Sequence, residues 1–355
     1  MTTAMMNHAV VHLLKSLMEI VSTSEHEHDI GVFLEKHLQS LGYTVERTPI
    51  SPGSTRHNVY AYLGSSRHTR VLLTAHMDTV PPHIPLTIDG DVIRGRGACD
   101  DLGPLAAQII AAEGLRREGK IKDEGDLSLL FVVGEENGGH GMVAVNDLGL
   151  RWESGIFAEP TESKLAKGHK GQIAFEVIAN GVAHLNNSHS GYPHLGKSAT
   201  SALLAVLNDL SAATWPHSAL LGPSTFNIGT LSGGEKHNIV APSAKALCEV
   251  RMTADLPGVK AKIADIVSKH KDVDINWVFE YPEYELNWEI EGFEAAPVSF
   301  GTDVPRLRKE MCRRRVLYGP GSILVAHGKG EYVGVGELVQ SIEGYKKLVR
   351  YFLDS

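Results

Sequence analysis

Apolar and polar positions in the first part of the chain predict helices followed by strands. Apolar residues spaced three and four apart between Ile30 and Leu41 are typical of an amphipathic helix, and Gly42 is a common helix stop. The N-terminal segment has similar spacing and is expected to form the first amphipathic helix. Strand-like segments follow at 43–50 and 58–63.

Three short apolar runs at 71–75, 127–133 and 154–158 contain few polar positions. Each is bounded by polar or glycine-rich residues, as is typical of strands that are buried on both faces of a sheet. A predicted helix at 104–119 lies between the first two runs. This alternation predicts an α/β architecture with a mostly parallel sheet covered by helices.

Between 171 and 281 the predicted elements follow the order of a ferredoxin-like module. The pattern predicts a strand, a helix, two strands, a helix and a strand, at 173–179, 197–210, 225–231, 244–253, 259–270 and 273–281. The chain then resumes its α/β character with a strand at 315–318 and a helix at 337–352. We therefore expect a larger discontinuous domain formed by residues 1–170 and 283–355. A small α+β domain, residues 171–282, is expected to be inserted in it.

The composition limits the classes of protein to which the chain can belong. A length of 355 residues suggests about two domains, and 43% hydrophobic with 21% charged residues is typical of a globular protein. The acidic balance, 34 Lys and Arg against 42 Asp and Glu, argues against nucleic-acid binding. No apolar stretch approaches the roughly 18 residues of a membrane span. The one basic run, 306–315, is expected to form the solvated face of a helix.

Cysteine usage and the N-terminal segment bear on the compartment. Cys99, Cys248 and Cys312 cannot all pair and are too few for a disulfide framework, which favours a reducing compartment. The N-terminal segment lacks a basic leader, and Lys15 and Glu19 interrupt its apolar run, so it is not expected to be a signal peptide. We predict a cytoplasmic protein, or a secreted one if an upstream leader has been removed.

The three buried runs share a second feature, since each leads into residues that can bind a metal. Ligands of open α/β sheets bind just beyond the carboxyl ends of the strands, so these side chains are expected to converge. In chain order they are His76 with Asp78, Glu135 with Glu136, and Glu159.

Two further clusters lie in turn-rich segments. A glycine-rich loop at 95–101 ends in Asp100 and Asp101, and the segment 319–327 ends in His327. Each cluster is weak alone, because the chain has 18 histidines and acidic pairs are usually solvated. Together, two imidazoles and several carboxylates are the ligands of a two-zinc site, with one carboxylate bridging ions roughly 3.5–4 Å apart.

Five ordered motifs resemble those of the M20 family of metallopeptidases, which includes acetylornithine deacetylase, succinyl-diaminopimelate desuccinylase, aminoacylase and glutamate-releasing carboxypeptidases. They span Ala75 to Val333 and contain the stretches HMDTV with GRGACDD, LLFVVGEENGGHGM, FAEPTESKLAKGHKG, HSGYPHLGKSA and YGPGSILVAHGKGEYV. The chain looks most like fungal members described as probable carboxypeptidases. The resemblance implies a zinc-exopeptidase-like catalytic domain with an inserted dimerisation or lid domain.

The resemblance also implies two divalent metal ions, zinc first with cobalt or manganese as alternatives, held by His76, Asp100, Glu136, Glu159 and His327. Asp100 would bridge the ions, Glu136 and His327 would complete the shell of one, and Glu159 would complete that of the other. Asp78 would orient the His76 imidazole, and the Asp100–Asp101 peptide would be cis. Glu135 would be the general base toward a water whose pKa the metal ions lower.

Substrate-binding residues are implied by the same resemblance. His189 would reach the active site of a partner subunit and stabilise the oxyanion, while Asn238 and Arg251 would hold the substrate. Arg251 would bind its carboxylate, and the backbone around Gly321 and Ser322 would help. Without the motif, Arg251 is interpreted as a salt bridge on a strand edge.

Two stretches depart from the family pattern. Extra residues at 184–188 bring a second histidine, His184, near His189, and the Ser-Gly-Tyr-Pro spacing that follows favours His189 as the functional one. The stretch 288–301 is shorter than in many members and contains no predicted helix before Gly301 and Asp303.

The resulting hypothesis is a two-zinc hydrolase that cleaves an amide bond next to an amino acid with a free carboxylate, as a carboxypeptidase or dipeptidase. The alternatives are an N-acyl-amino-acid deacylase, such as acetylornithine deacetylase, and a catalytically silent binding protein. A serine hydrolase and a dinucleotide enzyme are disfavoured, because no G-x-S-x-G elbow occurs and Gly95-Arg-Gly97 lacks a third glycine. Expected partners are a small peptide or N-acyl amino acid and a second copy of the chain, without nucleic acid or membrane.

Overall fold

The chain passes from one folded unit into a second and back again. The computed structural model describes residues 3–181 and 189–355. The first unit comprises Met1–Ala166, Leu286–Ala296 and Thr302–Ser355, and the second comprises Lys167–Glu285 and Pro297–Gly301. The second unit corresponds to the inserted domain predicted at 171–282. The sequence pattern does not predict that residues 297–301 also belong to this unit.

The helices and longer strands of the first unit are, in chain order, α1 (Thr3–Met18), α2 (His28–Ser40), β1 (Thr44–Pro49), β2 (His57–Tyr62), β3 (Val71–His76), β4 (Thr87–Asp89), β5 (Val92–Arg94), α3 (Leu102–Arg117), β6 (Leu127–Val132), α4 (His140–Val145) and β7 (Trp152–Phe157). Two strands cross the boundaries between the units, β8 (Leu165–His169) and β16 (Ala295–Val298). After the second unit, the chain completes the first with β17 (Cys312–Leu317), β18 (Tyr332–Gly334) and α7 (Val335–Asp354).

The central sheet of the first unit has the strand order β1-β2-β6-β3-β7-β17. Strands β6, β3, β7 and β17 run parallel, while β1 and β2 form an antiparallel edge. Every residue of β2, β3 and β6 is buried. For β3 and β6, burial on both faces explains why their sequences are mainly apolar rather than alternating. Helix α3 packs against α1 and α7, and α2 packs against β1 and β2. The predicted α/β class is confirmed, with a mixed rather than a wholly parallel sheet.

The second unit contains β9 (Gly171–Asn180), α5 (Ala199–Ala212), β10 (His217–Ser218), β11 (Gly222–Pro223), β12 (Thr225–Gly233), β13 (Ser243–Met252), α6 (Leu256–Ser268), β14 (Val273–Tyr281) and β15 (Tyr284–Glu285). Its antiparallel sheet has the order β12-β13-β9-β14, as expected for a ferredoxin-like module. Its core combines buried side chains from the sheet and both helices, Phe175 and Val206 among them. Strand β12 lies at the edge of this sheet and is largely exposed.

The basic run at 306–315 is not the solvated helix face that the sequence predicts. It contains a 3₁₀ turn at Lys309–Met311 and then enters strand β17. Arg315 is buried and donates hydrogen bonds to the main-chain carbonyls of Cys312, Val304 and Arg308. The guanidinium therefore supports a turn, since its several donors can satisfy carbonyls that the irregular backbone leaves without partners.

Among the residues that the structure describes, no helix is both long enough and apolar enough to cross a membrane.

Two glycines of α3 provide a test of how tightly the loop at its N-terminus is packed. A Cβ at Gly103 would lie 2.2 Å from the Ala98 carbonyl oxygen, whereas one at Gly114 would lie 3.5 Å from the nearest atom, in the Lys346 side chain. We expect Gly103→Ala to lower the free energy of unfolding by about 1–3 kcal/mol, because the backbone must shift. Gly114→Ala, the matched control, should raise it by up to about 1 kcal/mol. Urea titration followed by circular dichroism measures both, and equal effects would contradict the packing argument.

Candidate metal centre

Three parallel strands deliver acidic and imidazole side chains to one edge of the sheet. His76 is the last residue of β3, which lies between β6 and β7 and is parallel to both. Glu135 and Glu136 follow β6, and Glu159 follows β7. The carboxyl ends of parallel neighbours meet at the same edge, so the strand register alone brings these residues together.

Two loops add the remaining residues of the cluster. Asp100 immediately precedes Asp101, which stands at the N-cap position of α3, and the Asp100–Asp101 peptide is cis as expected. His76 Nε2 lies 3.0 Å from Asp100 Oδ1. His327 Nε2 lies 3.1 Å from Asp100 Oδ2 and 3.0 Å from Glu136 Oε1. Asp100 is thus contacted by an imidazole on each carboxylate oxygen.

Asp78 is completely buried. It has more hydrogen-bond partners than orienting the His76 imidazole would require. The His76 Nδ1–H donates to the Asp78 main-chain carbonyl at 2.9 Å, while the Asp78 carboxylate is more distant, at 3.6 Å. That carboxylate accepts hydrogen bonds from the main-chain N–H groups of Glu135 and Glu136, at 3.0 and 3.2 Å. Ser24 Oγ donates a further bond at 2.9 Å. Asp78 therefore fixes the turn that carries the Glu135–Glu136 pair as well as the imidazole.

Two groups of side chains have ligand atoms close enough to hold an ion. In one group His76, Asp100 and Glu136 have ligand atoms within 4.8 Å of one another, and in the other His76, Glu135 and Glu159 do. These groups overlap with the ligand sets implied by the resemblance but do not match them. Glu159 is grouped with Glu135, the residue expected to be the base, and not with Asp100.

Burial and mutual repulsion raise the pKa values of the carboxylates at the strand ends. Burial raises the pKa of Glu159 well above its usual value, and the charges of Asp100 and Glu135 add to the rise. The pKa of Glu135 is raised well above its usual value by burial and by the carboxylates of Asp303, Glu136 and Asp78, against the opposing effect of His76. The cluster thus has more negative charge than its imidazoles compensate.

The imidazoles are drawn toward their protonated forms by the same carboxylates. Burial disfavours the charged form of His76, yet hydrogen bonds with Asp100 and Asp78 raise its pKa well above the usual value. Hydrogen bonds with Asp100 and Glu136 raise the pKa of His327 to about 10. Burial alone would raise the pKa of Asp100, but the two imidazoles lower it overall.

This donor set fits a divalent transition metal. Imidazole nitrogen and carboxylate oxygen are the ligands that zinc and similar ions prefer. A dication would compensate the buried carboxylates directly, and the imidazoles would then be neutral ligands. The chemistry of the cluster, rather than any single distance, supports this fit.

Asp303 also belongs to this cluster, although the sequence pattern assigned it no role. It is buried, lines a small cavity with Glu135, Glu159 and His76, and its Oδ2 has no hydrogen-bond partner among the described residues. Burial raises the pKa of Asp303 to about 7. The segment 288–301 contains no helix, as expected, so the sequence offered no periodic signal that would have pointed to Asp303.

Gly321 and Ser322 lie beside the Asp100 loop. Gly321 has φ 77°, and a Cβ there would lie 2.5 Å from the Cys99 Cβ, so the position requires glycine. Its carbonyl accepts the main-chain N–H of Glu162 at 2.8 Å, and Ser322 Oγ donates to the Glu162 carboxylate at 2.9 Å. This loop therefore lies next to the residues that follow β7.

The remaining predicted residues lie in the second unit. His189 and Asn238 are exposed, and His189 forms an isolated bridge with Ile239. His184 and the extra residues at 184–188 lie outside the described part of the chain.

Arg251 is part of a closed ring of hydrogen bonds in the second unit. It donates to the Glu249 carboxylate through Nε and to the Tyr281 hydroxyl, at 3.3 Å, through Nη1. Tyr281 donates to Gln172 at 2.7 Å, and the Gln172 amide donates back to Glu249 at 2.6 Å. The salt bridge expected without the motif is therefore present, formed with Glu249 two residues away, but β13 lies inside the sheet and not at its edge.

Both units of the chain are similar to known peptidases. The model of a peptidase dimerisation domain, M20_dimer, matches residues 167–274, and that of peptidase family M28 matches residues 58–148. A peptidase M20 domain-containing protein of Schizosaccharomyces pombe is 46% identical over 97% of this chain and 85% of its own length. A probable carboxypeptidase of Aspergillus terreus is 40% identical over 94% of this chain and 84% of its own length.

Solved structures share the fold over their full lengths. A tripeptidase of Staphylococcus aureus matches with a TM-score of 0.80 at 21% identity, covering 97% of this chain and 99% of that one. A metallo-carboxypeptidase of Sulfolobus solfataricus, described as an M20 family member, matches with a TM-score of 0.76 at 17% identity, covering 98% and 99%. A Bacillus subtilis protein described as a dinuclear metal-binding peptidase matches at 0.69 and 14%, covering 99% of each chain.

The bonds of Asp78 allow its positioning role to be measured. We expect Asp78→Asn to weaken zinc binding roughly 10- to 100-fold, because the amide cannot accept both N–H groups of the Glu135–Glu136 turn. Ser24→Ala removes only the hydroxyl bond to Asp78 and should cause a smaller loss. Competition with a chromogenic chelator measures both affinities on metal-free protein. If Asp78→Asn bound zinc as tightly as the parent protein, Asp78 would not be a positioning residue.

Proposed function

This chain belongs to the M20 family of metallopeptidases, and on that premise we propose that it is a two-zinc hydrolase that releases an amino acid with a free carboxylate from dipeptides or short peptides. The observation that carries the proposal is the convergence of two imidazoles and several carboxylates at one sheet edge, with Asp100 contacted from both sides. Peptide hydrolysis as the reaction is supported by the relatives, a peptidase M20 domain-containing protein and a probable carboxypeptidase.

We assign the metal-binding role to His76, Asp100, Glu136, Glu159 and His327, with Asp100 shared between the two ions. When bound, the ions would polarise the scissile carbonyl and lower the pKa of a water molecule toward neutrality. The dinuclear description of the Bacillus subtilis neighbour supports two ions rather than one. Zinc is proposed from the donor types, with cobalt or manganese as alternatives.

Glu135 is proposed to move the proton of the reaction. Its carboxylate would accept a proton from the attacking water and return it to the leaving nitrogen. Burial raises the pKa of Glu135 above its usual value, which makes its carboxylate a stronger proton acceptor than an exposed glutamate. The Asp78 carboxylate supports the geometry, because it holds the main chain of Glu135 in place.

Substrate contacts are proposed for the second unit and for the Gly321 loop. Arg251 would bind the substrate carboxylate, Asn238 would help to hold the substrate, and His189 of a partner subunit would stabilise the oxyanion. The backbone at Gly321 and Ser322 would contribute at the same end of the substrate.

A homodimer is proposed because residues 167–274 match the dimerisation-domain model. The exposed edge strand β12, which carries Ile228 and Leu231 on its surface, offers one face to a second copy. A cytoplasmic location is proposed because Cys99, Cys248 and Cys312 are all buried and free of disulfides.

The base and ligand roles of the adjacent glutamates can be separated by isosteric substitution. We expect Glu135→Gln to keep both metal ions while kcat falls about 10²- to 10⁴-fold, because the amide cannot accept the proton. Glu136→Gln should lose metal and activity together. Elemental analysis and peptide hydrolysis on the same preparations give both readouts. The control is Glu153→Gln, at an exposed position on β7, which should hydrolyse peptides at the parent rate. If Glu135→Gln also hydrolysed peptides at the parent rate, Glu135 would not be the base.

Substrate class is decided by comparing dipeptides, the same dipeptides with a C-terminal amide, and acetylated amino acids. We expect the free-carboxylate dipeptides to be hydrolysed fastest, and Arg251→Gln to raise their KM roughly 10- to 100-fold through loss of a charged hydrogen bond. Amidated dipeptides should show no comparable change. Lys245→Gln on the same strand is the matched control.

Faster turnover of acetylated amino acids in this comparison would favour the deacylase alternative. Metal binding without hydrolysis of any compound would favour a silent binding protein.

A further inference from the structure

Arg96 and Glu331 form a buried ion pair in the first unit that none of the proposed catalytic roles uses. Arg96 is 3% exposed and Glu331 is 1% exposed. Arg96 Nη1 donates to Glu331 Oε2 at 2.5 Å. The two residues belong to the two loops that carry Asp100 and His327, which are distant in sequence.

The second oxygen of Glu331 holds the loop that carries Asp100. Glu331 Oε1 accepts the main-chain N–H of Cys99 at 3.2 Å and that of Asp100 at 3.3 Å. A carboxylate that accepts two successive N–H groups fixes the direction of that peptide segment. The main chain of the proposed bridging ligand is therefore bonded directly to Glu331.

The other arm of the guanidinium holds the loop that carries His327. Arg96 Nη2 donates to the His327 carbonyl at 3.2 Å, and Nη1 also lies 3.4 Å from the Gly328 carbonyl. His327 has φ 63°, a left-handed conformation that residues other than glycine rarely adopt. Such a conformation persists where its surroundings impose it, and the bond from Arg96 is one of those constraints.

Holding the two loops together does not by itself require this pair. Gly95 N–H already donates to the Glu331 carbonyl at 3.0 Å, and β5 pairs with β18 through Arg94 and Tyr332. Buried ion pairs are also often no more stabilising than apolar residues of similar volume. The two side chains add hydrogen bonds to the main chain of the proposed ligands: Arg96 bonds to the His327 carbonyl, and Glu331 accepts the Asp100 N–H.

We propose that Arg96 and Glu331 are positioning residues that set Asp100 and His327 in register for metal binding. This inference rests on the proposed function, because it needs Asp100 and His327 to be ligands. It assigns neither residue a contact with substrate or metal.

Two conservative variants test the proposal with zinc affinity as the readout. Arg96→Lys keeps the charge but cannot reach both Glu331 and the His327 carbonyl. Glu331→Gln keeps the shape, but its single carbonyl oxygen cannot accept from Arg96 and from the Cys99 and Asp100 N–H groups at once. We expect each to weaken zinc binding roughly 10- to 100-fold in chelator competition on metal-free protein. Saturating zinc should restore most of kcat with KM unchanged.

The control is Arg67→Lys, which alters a more exposed Arg–Glu pair elsewhere in the first unit, with Glu46 at 2.7 and 2.9 Å. It should leave zinc affinity unchanged. The thermal unfolding midpoint of each metal-free variant separates positioning from stability. A lower midpoint with parent-like zinc affinity in Arg96→Lys and Glu331→Gln overturns the proposal.

A charge-swapped double variant, R96E with E331R, sharpens the comparison. An interaction that works through charge alone would be restored by the swap, whereas an arginine at 331 has no acceptor for the Cys99 and Asp100 N–H groups. We expect zinc affinity to stay low, and recovery to the parent value would overturn the proposal. If the parent protein bound no zinc, the proposed function itself would be wrong. This result is distinguishable from zinc affinity in the variants that equals that of the parent, which would contradict only the positioning roles.

Discussion

The rest of this structure depends on one constraint, the energetic cost of placing several carboxylates together at the buried edge of a sheet. An isolated buried carboxylate is costly, and several within reach of one another cost more, because each raises the pKa of the others. Glu135 and Glu159 have this character. The fold meets the cost with imidazoles, main-chain N–H groups and, as we propose, divalent metal ions.

Two buried carboxylates organise the cluster from outside the proposed ligand set. Asp78 accepts the N–H groups of the Glu135–Glu136 turn, and Glu331 accepts those of Cys99 and Asp100. Both bond to main chain, so they fix the backbone from which the ligands project. Rigid ligand placement of this kind lets a site select an ion by geometry as well as by charge.

Much of this arrangement could be predicted from the sequence, because buried parallel strands leave continuous apolar runs and their ends share one edge. The convergence of His76, the Glu135–Glu136 pair and Glu159 follows from that rule, whereas the separate ligand and base roles of the two glutamates rest on the resemblance to the family. The Arg96–Glu331 pair could not be predicted in this way, since its partners are far apart in sequence and no periodic pattern records an ion pair. Arg315 was misinterpreted for a related reason, because a run of basic residues predicts a solvated face unless one side chain finds buried carbonyls. Asp303 lies in an irregular segment, where hydrophobic periodicity carries no information.

Recognition of a substrate carboxylate poses a different physical problem from metal binding. Arg251 already has a carboxylate partner in Glu249, so the pair has little net charge to attract an anion from a distance. Selectivity at Arg251 would then come from the direction of its N–H groups, which match the two oxygens of a carboxylate and not the single carbonyl of an amide. The ring formed with Tyr281 and Gln172 holds that direction fixed. The arginine would therefore act through orientation, in the same way that we propose for Asp78 and Glu331 at the metal site.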